Sequence, residues 1–490
     1  MSEVSSSKTE EQTVSTRRLS GNLGAASVVF MVLAAAAPLT VVGGIIPIGF
    51  LYGNGVGFPS MFIVATAILL LFAVGLISMS REIPEAGAFF TYISHGLGRI
   101  AGVAASYLAV ICYSTIQVAV FVYFGATVSS DVSLLGGPEV PWWIVTLSCV
   151  FVVGVLGYRN LELSSKILIF VLFAEIAIVL VLSIAILMAG GKEGIGLGPF
   201  SPSAMLSHSP ALGLMFAISG FIGFESTVVY RQEVRKPDVT IPRATYSAAV
   251  MIGIFYAFTA WAIVMGVGGS HLQEFVASDP STVLARITDE YLGPLGSTIV
   301  AVLLLGSMFA AVLSLHNVLT RYFHSMSNSH ILPTCISSVH SRHNSPHKAS
   351  LTQTAISAAI VMIVIVSGTE PEAVFARLAG VGSLSIILLM AGTCLAVIIY
   401  FYRANISINL WKSRIAPGLG FVGLIAAATL ISNNFPMLVG DFDNVGNPKW
   451  GPVSSALLAL VFLAPILGVI QAVYLRLRRP LVYRQISEKL

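Results

Sequence analysis

Residues 217–243 read AISGFIGFESTVVYRQEVRKPDVTIPR. An apolar run is interrupted by Gly220 and Gly223 and holds a carboxylate at Glu225. It then leaves into a basic loop closed by Pro237 and Pro242. Glycine loosens a helix, and a charged group in hydrocarbon costs roughly 2.5–3.5 kcal/mol. A simple anchor needs neither feature, so the segment asks for a role beyond spanning.

Working outward, the whole chain shares its apolar character. Of 490 residues, 56% are hydrophobic and 10% charged, against about 25% charged in a soluble protein. Mean hydropathy is +0.89, which places the chain among polytopic membrane proteins. Cys112, Cys149, Cys335 and Cys394 form no CxxC pair and read as small apolar packing residues. The polar segment 1–22 lacks a signal peptide's apolar core and reads as a disordered tail.

A helix needs roughly 20 apolar residues to cross a bilayer. Twelve spans can be drawn, at about 25–52, 56–80, 100–130, 141–158, 164–190, 210–231, 244–269, 294–320, 349–367, 372–402, 416–434 and 451–476. With a cytoplasmic N-terminus, all but four of the 26 Lys and Arg residues fall on the cytoplasmic side; the exceptions are Lys192, Arg286, Arg377 and Lys449. One span missed or invented mid-chain would erase this asymmetry. It therefore supports twelve spans with both termini inside, and it explains the basic loops without nucleic acid.

Two spans are broken. The first, VVFMVLAAAAPLTVVGGIIPIGF at 28–50, carries Pro38, Gly43, Gly44 and Pro47; the sixth carries Gly220 and Gly223. They are corresponding elements if the chain is two inverted five-helix repeats plus two C-terminal helices. Interrupted helices at corresponding places in two halves point to a transporter's binding site.

Four short motifs, in order, add a resemblance. Glu82-Ile83-Pro84-Glu85-Ala86-Gly87-Ala88-Phe89-Phe90-Thr91-Tyr92 lies after the second span, and Phe221-Ile222-Gly223-Phe224-Glu225 lies in the sixth. Glu233-Val234-Arg235-Lys236-Pro237 with Ile241-Pro242-Arg243-Ala244 follows, then Arg321-Tyr322 with Leu332-Pro333. Over roughly residues 20–400 the chain resembles the amino acid permeases of the amino acid–polyamine–organocation superfamily. One departure stands out: Ala34-Ala35-Ala36-Ala37-Pro38-Leu39-Thr40 occupies the place of the family's Gly-x-Gly. The resemblance implies an all-α membrane protein of twelve helices, five-plus-five inverted repeats with helices 1 and 6 broken, and alternating access. The expected organisation is a tail at 1–22, a core at 23–402 with repeats at about 23–190 and 210–402, helices 11 and 12 at 403–478, and a cytoplasmic tail at 479–490.

A zwitterion leaving water needs donors for its carboxylate and acceptors for its ammonium. Unwound backbone supplies both, with N–H groups at a half-helix N-terminus and carbonyls at the opposing end. The candidates are Ala35, Ala36, Ala37, Leu39 and Thr40 in helix 1, and Ile218, Ser219, Gly220, Phe221 and Gly223 in helix 6. The competing reading is ordinary kinks and close helix packing. Some relatives place a bulky aromatic gate near Ser219. In this fold helices 3, 8 and 10 wall the pocket; their polar residues Tyr113, Gln117, Ser307, Asn317 and Ser383 read first as helix–helix hydrogen bonds.

Glu175 sits mid-span in LIFVLFAEIAIVLVLSIAIL at 168–187. Burial disfavours its charged form, so it is a candidate to load and release a proton, or to hold a cation or a substrate amine; the competing reading is a neutral, hydrogen-bonded structural carboxyl. Proton-coupled relatives carry an ionisable residue near this position, often lysine. Glu225 reads as an ammonium-facing or gating carboxylate, or as a structural acceptor, a turn or so past the break, and Glu233 as structural or part of an inner gate. His340, His343 and His347 read as a solvated loop, since Pro346 interrupts them and no carboxylate or cysteine lies among them.

No GxSxG, HExxH or phosphate loop is present, and neither a cofactor nor a metal is expected. The expectation is a secondary transporter of amino acids or related amines in the plasma membrane, proton-coupled. A substrate/product exchanger of the same fold, and a non-transporting sensor or channel, stay open as alternatives.

Overall fold

The computed structural model describes residues 28–29, 32–33, 36–83, 89–134, 136–159, 165–225, 227–228, 234, 236–340, 345–406, 408–443 and 447–489. Ala35, Glu233, Arg235, His343 and the 84–88 part of the first motif lie outside them.

The regular structure of the described residues is helical. The longer helices are α1 (Pro38–Tyr52), α2 (Phe58–Glu82), α3 (Phe89–Leu97), α4 (Arg99–Leu134), α5 (Trp142–Tyr158), α6 (Ser165–Met188) and α7 (Pro210–Ser219). They continue with α8 (Pro237–Val267), α9 (Val283–Asn328), α10 (His347–Ser367), α11 (Pro371–Arg403), α12 (Ala416–Asn433) and α13 (Pro452–Arg478). β pairing among the described residues is an isolated bridge between Phe442 and Pro448.

Nine helices among the described residues are long and apolar enough to cross a membrane, and α1, α5 and α7 are shorter apolar helices. Hydrocarbon offers no partner to backbone N–H and C=O groups, so a multi-pass chain satisfies them within helices. Outward-facing side chains agree: Phe170 is 74% exposed and Phe151 70%, which suits lipid and would be a liability in water. Helices α4, α8 and α11 are the most deeply buried of the long ones, and α13 is peripheral.

Proline starts many of these helices. It stands in the first turn of α1, α7, α8, α11 and α13, where the N–H it lacks has no intrahelical partner anyway. Small residues then let helices touch. A Cβ at Gly96 would sit 2.3 Å from the Ala396 carbonyl, and one at Gly382 2.3 Å from Ile116, closing α3 and α4 onto α11.

Cys112, Cys149 and Cys394 are buried as packing residues, but Cys335 is exposed on a short turn, so the packing reading fails for it. Outside the spans, Glu193 ties two loops together. The Ser270 hydroxyl donates to it, as do the Ser270 and Gly269 amides at 3.1 and 2.9 Å. These bonds hold its carboxyl below the usual carboxylate range, the Ser270 hydroxyl most of all.

Candidate functional site

Two chain breaks meet at one cavity. In the first, the Ala36 amide bonds the Val32 carbonyl at 3.0 Å and ends the incoming turn. Ala37 then takes a left-handed conformation (φ 45°), rare for a residue with a Cβ, and α1 starts at Pro38. Ala37 has no side chain to cap the new helix, and the Leu39 amide is among its orphan donors. The Glu175 carboxylate reaches from α6 and accepts it at Oε2, 3.3 Å away. The same oxygen accepts the Ser307 hydroxyl at 3.1 Å, and Ser307 accepts the Thr40 hydroxyl at 3.1 Å. Glu175 is 4% exposed.

One turn on, Val41–Ile45 widens into a π-helical turn, a local distortion often found at functional sites. The Tyr123 hydroxyl donates to the Gly43 carbonyl there at 2.6 Å. The Tyr123 ring stacks on Phe375 with centroids 4.6 Å apart.

The second break follows α7. The Gly220 amide is shared between the Phe216 and Ala217 carbonyls, and the next amides bond three residues back, a tightened terminal turn. Gly223 then adopts φ +109°, a conformation glycine tolerates and other residues resist. Its amide donates to Glu225 Oε2 at 2.8 Å, and Glu225 Oε1 accepts the Tyr113 hydroxyl at 3.1 Å. Glu225 therefore lies inside the break as a local cap, not a turn beyond it.

Between the breaks lies a cavity of about 80 Å³. Helix α1 and its approach present Ala36, Ala37, Thr40 and Val41; Ser219 and Ile222 come from the α7 break. The remaining wall is apolar, with Ile116 and Val120 from α4, Leu315 from α9, and Phe375 and Ala379 from α11. Of the sequence candidates, Ala36, Ala37, Thr40 and Ser219 line it. Leu39 faces Glu175, and Ile218, Gly220, Phe221 and Gly223 are not on its wall. Gly220 instead brings the breaks together: a Cβ there would stand 3.2 Å from Val41 Cγ1. Phe221 packs edge-to-face on Tyr256.

Of the polar residues named for the pocket wall, Ser307, Tyr113 and Gln117 bond to other elements, whereas Ser383 bonds within α11. Ser307 belongs to Glu175, Tyr113 to Glu225, and Ser383 donates to the Ala379 carbonyl at 2.6 Å. Gln117 donates to the Val312 carbonyl and accepts from Gln353 at 2.6 Å and Ser357 at 3.2 Å. His316 bonds Ser350 at 2.9 Å nearby. Sequence reasoning missed His316, Gln353 and the apolar wall; the i, i+3, i+7 spacing of Ser350, Gln353 and Ser357 was the available signal for this seam. His340 and His347 stack edge-to-face on each other and on Tyr158. Among the described residues no group of three or more His, Cys, Asp or Glu could hold a metal ion.

Known proteins bear on this arrangement. A family described as amino acid permeases matches residues 23–473. Uncharacterized transporters of Mycobacterium bovis and Mycobacterium tuberculosis are each 30% identical over 159 residues, 32% of this chain. That stretch is 34% of each relative, so the chain spans about a third of their length.

Proposed function

The chain belongs to the amino acid permease family, and from that premise we propose a secondary transporter that carries amino acids, or amines related to them, by alternating access with protons. It works in the plasma membrane with both termini cytoplasmic. Its twelve helices form two inverted five-helix repeats, with residues 23–402 as the core and 403–478 as two added helices. Residues 1–22 and 479–490 are cytoplasmic tails.

The observation that carries the reading is the convergence of two broken helices on one cavity, with a buried carboxyl tied to one break. Broken helices bind a charged head group through backbone, at the depth where side chains are least able to do so. The substrate carboxylate faces the N-terminal turn of α1 at Ala36, Ala37 and Thr40. Its ammonium faces the carbonyls at the end of α7, near Ser219. The apolar wall takes the side chain. Glu175 is the proton carrier, because its bond to Leu39 joins α6 to the half-helix that binds substrate. Glu225 holds the second break in shape, and Glu233 is assigned to the inner loop.

Purified protein in liposomes tests this. An inward pH gradient alone should drive accumulation of labelled amino acid. Uptake that requires internal amino acid and ignores the gradient would replace proton coupling with exchange, and saturable binding without uptake would make the chain a sensor.

A further inference from the structure

We infer that the hydroxyls of Thr40 and Ser307 relay the protonation of Glu175 to the cavity, so that a proton on Glu175 prepares the site for the carboxylate of an amino acid. This rests on the proposed function and deepens it, because it selects substrates with a free carboxylate and makes proton and substrate bind together.

The donors of the chain all point one way. Thr40 donates to Ser307, Ser307 donates to Glu175 Oε2, and the Leu39 amide donates to the same oxygen. Thr40 is also the member on the cavity wall. A hydroxyl has one hydrogen and two lone pairs. With its hydrogen committed to Ser307, Thr40 shows the cavity only lone pairs, and these repel a carboxylate.

A proton taken up by Glu175, from water on the open side, forms an O–H bond at the carboxyl oxygen. That oxygen then donates to Ser307. Ser307 turns its hydrogen to Thr40, and Thr40 turns its hydrogen into the cavity. The bond that breaks is an O–H of the donating hydronium, which leaves as water; along the chain the hydroxyls only rotate. The cavity now offers a donor where it offered an acceptor.

The electrostatics have the same sign. Ionised Glu175 and a substrate carboxylate are two anions competing for one half-helix N-terminus, and protonation removes the first. The groups facing Glu175 leave it in control. Helix α1 presents the Leu39 amide, α9 presents Ser307, and α8 presents Tyr256, whose buried hydroxyl has no hydrogen-bond partner among the described residues. Among the described residues Glu175 enters no ion pair; the pair they form is Lys192–Glu290 at 2.8 Å. Binding linkage is reciprocal, so a substrate carboxylate in turn draws a proton onto Glu175. An amine without a carboxylate gains nothing from that proton.

The test uses liposomes holding wild-type protein, Thr40→Val, Thr40→Ser or Ser307→Ala, supplied with a labelled mixture of the standard L-amino acids across a range of external pH. In the wild type the half-saturating concentration should rise by up to about tenfold per pH unit once Glu175 is ionised. Thr40→Val and Ser307→Ala should make that slope clearly shallower, leaving only the direct charge competition, and Thr40→Ser should restore it, since only the hydroxyl is needed. A single symmetric gel-filtration peak and an unchanged thermal midpoint report whether each variant is folded, independently of substrate binding at Thr40. A wild-type slope in Thr40→Val and Ser307→Ala overturns the relay while leaving proton coupling standing. A wild type with no pH dependence overturns proton coupling and the relay with it.

Discussion

The two breaks are capped by carboxylates in opposite ways. At α1 the cap comes from Glu175, 136 residues away on another helix; after α7 it comes from Glu225, two residues from the amide it binds. A local cap travels with its own segment and asks nothing of the neighbours. A remote cap joins two elements and is strained or broken whenever they shift. Under the proposed function that difference suits Glu225 to shape-keeping and Glu175 to coupling; by residue type alone both are lone glutamates in apolar runs.

The largest effect is expected where the breaks touch. Gly220→Val pushes a branched side chain against Val41, and overpacking of this kind costs about 1–3 kcal/mol. Amino acid binding should be lost in protein that still purifies as a stable species; wild-type affinity would show that the breaks need no close approach. Gly223→Ala forces an alanine to φ +109°, a cost of about 1–3 kcal/mol. It should lower the thermal midpoint and weaken binding, and an unchanged midpoint would mean the turn can relax. Smaller still is Glu225→Gln. The amide oxygen can still accept from Gly223 or Tyr113, so a loss of about 1 kcal/mol is expected, with uptake and its pH profile kept. A flattened pH profile in Glu225→Gln would move the coupling role to the local cap.

Much of this was legible in the chain. Spans such as Phe58–Glu82 and Pro371–Arg403 follow from apolar length, and Pro38, Gly220 and Gly223 mark the interruptions because backbone chemistry leaves few other reasons for them in hydrocarbon. What stayed hidden depends on three-dimensional partnership. Nothing in the sequence pairs Glu175 with Leu39 and Ser307. No residue type flags Ile116, Val120 or Phe375 as cavity wall when 56% of the chain is hydrophobic. The left-handed Ala37 is the sharpest case, since alanine is a strong helix former and carries no turn signal; only the surrounding packing holds it there.

Proton coupling through Glu175 is measured by accumulation of labelled amino acid under an imposed pH gradient, in liposomes carrying wild type or Glu175→Gln, with counterflow recorded on the same vesicles. Glu175→Gln should keep counterflow and lose gradient-driven accumulation. Full accumulation by Glu175→Gln would contradict that coupling.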